Sequence, residues 1–247
     1  MNRLAVACVL ALLTLGLSGC MSSSLNLRPY PTDEGKLRLG VGQGFTRDVA
    51  TDFAFAKPNA DVANRGSMAW LTEVTAHYGV AKHMDVGVRV RPLAKGAKLE
   101  SQIQLFDPRG DLIGVSIGAG IDSFYRTRLK MECEAGGCFY REYAGMMADL
   151  PIVISARPLR WATLFVAARA QYLLIEGQQS YEPEDDSFQT LRQKKHIREP
   201  IVGFGGGVEF NWGKVRLVPQ AVGQTVKFPK GKQHLLVYPS LDFAVQF

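Results

Sequence analysis

Two cysteines, one serine in a glycine frame and four scattered histidines are the residues of this 247-residue chain whose types and spacing suggest chemistry. Cys133 and Cys138 flank a Gly-Gly turn in MECEAGGCFY. Such a turn brings two Cα atoms within bridging range, so in an oxidising compartment the pair is expected to form a disulfide closing a small loop. A metal pair is the rival reading, with Glu132, Glu134 and Glu142 nearby, but no histidine is close. Ser116 is the centre of GVSIG. The G-x-S-x-G pattern supplies a nucleophile when it forms a strained turn from a strand into a helix. Here it lies within LIGVSIGAGIDSFY, which alternates as a strand with no helix following, so Ser116 reads as a strand residue. The glycine runs GVGQG and GFGGG complete no dinucleotide fingerprint and open no helix. Their glycines are expected to relieve crowding where strands curve or long side chains need room. His77, His83, His196 and His234 lack the spacing of a metal pair. No catalytic residue, metal or cofactor is expected from these motifs.

The elements that must position these residues are strands. From Lys36 onward no stretch has helical periodicity, and ten segments alternate apolar and polar positions. They fall at about 36–45, 69–80, 84–92, 97–106, 112–126, 142–157, 162–176, 199–212, 214–226 and 235–247. In WATLFVAARAQYLLIEG, Leu164, Val166, Ala168, Ala170, Tyr172 and Leu174 share one face, with Arg169 and Gln171 on the other. Period-two alternation marks a strand with one apolar face. The opposite faces carry full charges, among them Arg38, Glu73, Arg89, Arg91, Glu100, Asp149, Arg169, Glu209, Arg216 and Asp242. A barrel with lipid outside and a polar interior produces this pattern. A solvated face of a soluble sheet would produce it too.

The connections favour the barrel. Those after the second, fourth, sixth and eighth strands are short, and four of the other five are longer, as in membrane barrels with short periplasmic turns and longer external loops. The expected fold is therefore all-β: an antiparallel transmembrane β-barrel of about ten strands, within a range of eight to twelve. Pro151, Pro219 and Pro239 conflict with continuous strands, because proline cannot donate to a ladder. A ten-stranded interior is narrow. The ten charges named above, with Asp85, are expected to pair as a lumen network, because uncompensated buried charge is costly. Two outcomes are open, a plugged rigid barrel and a narrow hydrophilic conduit. The 177–198 loop, with an acidic half and a basic half, could join the 46–68 loop and the cysteine loop in an external binding surface.

The two termini carry resemblances. MNRLAVACVLALLTLGLSGC has the layout of a secretory signal, and its apolar run is short for a spanning helix. LSGC resembles a bacterial lipobox, which implies cleavage after Gly19 and lipidation of Cys20. Met21, where such lipoproteins carry Asp for inner-membrane retention, implies the outer membrane. Residues 1–19 are then a signal peptide, 20–35 a flexible lipidated tether and 36–247 the barrel. The lipid is expected on the periplasmic leaflet of a Gram-negative outer membrane. Loss of residues 1–19 leaves 28 basic and 23 acidic residues, with no run that suggests nucleic acid. The last strand, ending in Phe243, Val245 and Phe247, resembles the C-terminal assembly signal of small outer-membrane barrels. That resemblance implies as partners the outer-membrane lipids, lipopolysaccharide, the barrel-assembly machinery and the lipoprotein-processing enzymes. The functional expectation is a non-catalytic structural, surface-binding or porin-like protein. One alternative is a barrel enzyme, either a lipid-modifying hydrolase or a protease similar to omptins, for which Asp48, Asp52, Asp185, Asp186 and His196 would be candidates. Another is a periplasmic lipoprotein with a soluble lipocalin-like or sandwich domain.

Overall fold

A computed structural model describes residues 27–47, 68–92, 96–107, 113–134, 137–183, 191–227 and 233–247. Ten strands follow one another: β1 (Leu37–Arg47), β2 (Met68–Ala81), β3 (Met84–Arg91), β4 (Gly96–Phe106), β5 (Ile113–Glu134), β6 (Gly137–Leu159), β7 (Ala162–Pro183), β8 (Leu191–Trp212), β9 (Val215–Lys227) and β10 (Gln233–Gln246). Each pairs antiparallel with its neighbours in sequence, and β1 pairs with β10, so the sheet is a closed barrel. No helix occurs among the described residues.

The alternation sorts the side chains as the sequence implies. Outward residues are apolar and exposed, as at Leu99 (68%), Val166 (61%) and Val202 (61%), whereas the inward Asp85 and Glu209 are 0% exposed. The seam depends on the chain's last residue. Phe247 N–H donates to the Leu37 carbonyl at 2.8 Å, and Leu37 N–H donates back at 3.2 Å. Arg38 to Gly44 continue the seam against Gln246 to Ser240.

The three prolines sit where a ladder lapses on one side. Pro151 keeps its pairing with Arg169 of β7, while the β5 ladder skips from Ile152 to Asp149. Its ring lies over Gly118, where an added Cβ would stand 2.8 Å from Pro151 Cγ. Pro219 pairs with Leu241 of β10, and the β8 ladder skips past it. Pro239 lies one residue beyond the last β1–β10 pair. Each missing N–H therefore falls in a gap already present, so the conflict does not reduce the strand count.

Two expectations change. Segments expected as external loops of about 15 and 22 residues are mostly strand. β5 and β6 stay paired out to Glu134 and Gly137, and β7 and β8 out to Tyr181 and Leu191. These two hairpins rise from one end of the barrel, here termed the long-hairpin end. The turns between Ala81 and Met84, Leu159 and Ala162, and Trp212 and Val215 mark the short-turn end. Second, residues 27–32, expected as part of a flexible tether, lie inside the barrel, while Glu34 and Gly35 are exposed at its mouth. Residues 27–32 are all buried.

Candidate functional site

Among the described residues the lumen is the built polar site, and the segment Leu27–Asp33 is part of it. Gly35, at φ +71°, turns the chain from the lumen into β1, and its N–H donates to the Gly79 carbonyl at 2.8 Å. Gly79 must lack a side chain, because a Cβ there would stand 2.0 Å from the Asp33 carbonyl oxygen. From that bend the segment is pinned at successive heights. Thr32 N–H donates to Asp85 at 2.7 Å. Tyr30 Oη donates to Glu209 Oε1 at 2.7 Å, and Arg216 Cζ lies 5.1 Å from the Tyr30 ring centroid. Ser116 Oγ donates to the Pro29 carbonyl at 3.4 Å and accepts from Gln102 Nε2 at 2.7 Å. Gln102 Nε2 also reaches the Arg28 carbonyl at 3.0 Å, and Leu27 N–H donates to Gln220 Oε1 at 2.8 Å.

Arg28 ties the segment to the charge network. Its guanidinium grips Asp85 with two bonds of 2.5 and 3.2 Å, and lies 3.7 Å from Glu100. Glu100 is a hub: His77 Nε2 lies 2.6 Å from it, Arg89 Nε donates at 2.7 Å and Lys98 Nζ lies at 3.1 Å. Lys98 also reaches Asp149, which accepts from Arg169 at 2.7 and 3.2 Å. Arg89 approaches Glu73 at 3.6 Å, and Arg91 pairs with Asp122. Across the barrel, Arg216 donates to Glu209 at 2.6 Å, and Arg38 bridges Glu209 at 3.7 Å and Asp242 at 3.8 Å. Asp33 closes the arrangement by accepting from Gln246 Nε2 at 2.7 Å.

Among the described residues the fully buried charges balance: Arg28, Arg38, Arg89, Arg91, Lys98, Arg169 and Arg216 give seven cations, against the seven anions Glu73, Asp85, Glu100, Asp122, Asp149, Glu209 and Asp242. Their side chains are at most 9% exposed. Six of the cations belong to the wall, and Arg28 supplies the seventh. Buried charge is tolerated when it is paired and hydrogen-bonded, and the N-terminal segment completes that pairing. Burial, with the Glu209 carboxylate beside it, pushes the Tyr30 hydroxyl up to about 12. It therefore stays a neutral donor at neutral pH.

All ten charges expected as a lumen network point inward and join this arrangement. Lys98 and Asp122 were missed, although they share inward parity with Glu100 and Ser116, and that parity would have found them. Arg28 and Tyr30 were missed because LRPYPTDEG has no periodicity. The interior is also less polar than expected. Leu27, Leu71, Val153, Phe165, Val218 and Val222 form an apolar cluster around the end of the segment. Phe124, Tyr143, Met147, Leu173, Ile175 and Ile201 form a second one towards the long hairpins. Glycines make room for these side chains, as expected. A Cβ on Gly87 would stand 2.0 Å from the His77 ring, and one on Gly205 2.7 Å from Leu27 Cδ1.

The remaining candidates lie apart. Ser116 is 0% exposed on an inward strand position, and its hydroxyl is engaged by Gln102 and Pro29. His196 lies 3.4 Å from Glu176 on the exposed outer face of β7 and β8. Cys133 and Cys138 are direct register partners in the β5–β6 hairpin. Cys20, Asp48, Asp52, Asp185 and Asp186 lie outside the described residues. Among the described residues, no group of three or more His, Cys, Asp or Glu is arranged to hold a metal ion.

A closed, ten-stranded antiparallel barrel with an apolar outer wall and a lumen filled by its own N-terminal segment is the class these features define. No protein-family model matches the chain, and no curated protein matches it. Among solved structures, the chain is similar to the outer membrane protease OmpT from Escherichia coli, at 7% identity over 91% of this chain and 97% of that one, with a TM-score of 0.49. It is also similar to Ail, the attachment invasion locus protein of Yersinia pestis, at 12% identity over 87% and 99% of the two chains, with a TM-score of 0.35. For Neisserial surface protein A the identity is 8%, the coverage 86% and 96%, and the TM-score 0.33.

Proposed function

We propose that this protein is a lipid-anchored outer-membrane β-barrel with a structural or surface-binding role, non-catalytic and closed to solute flow. The observation that carries the membrane reading is the inverted burial: apolar side chains outside, ion pairs inside. On β7 the outward apolar run from Leu164 to Leu174 spans ten residue steps. At ~3.3 Å per step and a tilt of ~40° it is about 25 Å tall, the height of a barrel's lipid-facing band. Glu176, the next outward residue, is exposed and charged. At the short-turn end Trp161, Phe210 and Trp212 stack with centroids 6.0 and 5.7 Å apart, as an interfacial girdle would. A lipocalin-like or sandwich domain would place these faces the other way round.

The seated segment favours the plugged reading over the conduit. The cavity left beside it, between Leu27, Arg28, Glu100 and Asp149, is about 30 Å³, room for about one water. The lipobox supports acylation of Cys20, and the register of Cys133 and Cys138 supports a disulfide at the hairpin tip. The paired hairpins project beyond the lipid band and are the surface available for a partner such as lipopolysaccharide. The reading is tested by carbonate extraction of outer membranes and by gel mobility before and after boiling. Retention in the membrane with a heat-dependent shift is expected. Release without a shift contradicts it. In planar bilayers the folded protein is expected to give no discrete conductance steps, and regular steps would restore the conduit.

A further inference from the structure

We propose that the short-turn rim from β7 to β9 is a binding site for an anionic phospholipid. An acyl chain lies against Trp161, Phe210 and Trp212, and the phosphate sits between Arg160 and Lys214. The site rests on the membrane reading above and gives the short-turn leaflet a lipid of defined charge.

The apolar half follows from the strand register. Phe210 pairs with Ala162 of β7 and Leu217 of β9, and Trp212 pairs with Val215. The row of rings therefore crosses β8 where β7 begins and β9 sets out. Trp161 is stitched to that row, because the Asn211 N–H donates to its carbonyl at 2.8 Å. The three rings stand nearly parallel, with interplanar angles of 14° and 10°. With Leu217 they line an open groove of about 460 Å³. That is the size of a ligand cleft and far larger than a packing defect. Both tryptophans are about half exposed, at 48% and 54%. An apolar groove opening on the lipid side is complementary to a hydrocarbon chain, and its rings offer a large contact area.

The charged half comes from two turns that are fixed in place. Arg157 donates to the Arg160 carbonyl across the turn before β7. In the turn before β9, Gly213 bends at φ +62°, and the Lys214 carbonyl accepts from the Gln246 N–H at 2.8 Å. Arg160 and Lys214 are both exposed. They stand two strand spacings apart, about 10 Å. A phosphate midway lies within reach of both long side chains, and the guanidinium offers it a fork of donors. Residues 157–163 and 210–216 hold Arg157, Arg160, Lys214 and Arg216 but no Asp or Glu. At the neighbouring mouth Asp33 is already held by Lys36 at 3.2 Å and Gln246 at 2.7 Å. A zwitterionic headgroup would bring an ammonium into this positive field. An anionic one brings only the charge that the rim lacks, so the site selects by charge as well as by chain.

Tryptophan quenching tests this with the full chain reconstituted in phosphatidylcholine vesicles. Trp70→Phe leaves Trp161 and Trp212 as the only tryptophans. A small fraction of the lipid is replaced by brominated phosphatidylglycerol or, in a parallel series, by brominated phosphatidylcholine. The anionic lipid is expected to reach half-quenching at a mole fraction lower by on the order of tenfold. Arg160→Gln combined with Lys214→Gln should remove that preference and leave quenching by phosphatidylcholine intact. Arg160→Lys combined with Lys214→Arg should keep the preference. Equal quenching by the two lipids, or a preference that survives the glutamine pair, overturns the site. Absence of quenching by either lipid would instead sink the membrane reading on which it rests.

Discussion

At the scale of single residues, Arg28 links a segment without regular structure to a wall of fixed charges. It holds Asp85 with two guanidinium nitrogens and faces Glu100, and it brings the fully buried charges among the described residues to seven cations and seven anions. Arg28→Ala leaves a buried carboxylate without its main partner, a change that costs about 3–5 kcal/mol. The expected outcome is a markedly lower urea midpoint for the detergent-folded protein. Asp85→Asn in the same background should recover part of that loss, because the stranded charge is gone. Tyr30 gives a pH prediction whose sign follows from its raised value. The neutral phenol is the form the lumen favours, so its contribution is complete below ~10, the unfolded value, and is lost as pH rises through about 12. Tyr30→Phe should remove that alkaline component from a plot of stability against pH.

The elements were the most legible part of the chain, because each strand has one lipid face and one lumen face. In β7 the run from Leu164 to Leu174 needs only a parity rule, and so does the placement of Arg169 opposite it. Parity alone could not show how far β5 to β8 continue beyond the lipid band, since hairpins in water lack a constant apolar face. It also could not reveal the inward apolar clusters, because Phe165 and Ile175 alternate with Leu164 and Leu174 and look like a run that is apolar on both faces. The prolines looked like an obstacle because a sequence does not show on which side a ladder is absent. The C-terminal strand makes its own prediction. Phe247 exchanges two backbone hydrogen bonds with Leu37 at a seam paired over Arg38 to Gly44. Its deletion should lower the yield of heat-modifiable protein and lower the temperature at which the folded band is lost, both read on gels. Unchanged assembly would contradict a role for the last residue in closure.

At the scale of the whole molecule, the barrel wall and its filling are separate problems for a sequence reader. The wall repeats, so it can be counted. The filling is one short, aperiodic stretch whose meaning lies in where it is placed, and LRPYPTDEG reads as linker until Asp85, Glu209 and Gln220 are seen around it. Filled in this way, the barrel is proposed to be closed to solute flow, with its long hairpins as the surface available to a partner. The most direct test is a photo-crosslinking residue at position 27 in the full chain, activated in cells and mapped by mass spectrometry. The account predicts crosslinks within the same chain, to β8 near Gly205 and β9 near Gln220. Crosslinks to lipid or to other proteins, with none to the barrel's own inner wall, would contradict it.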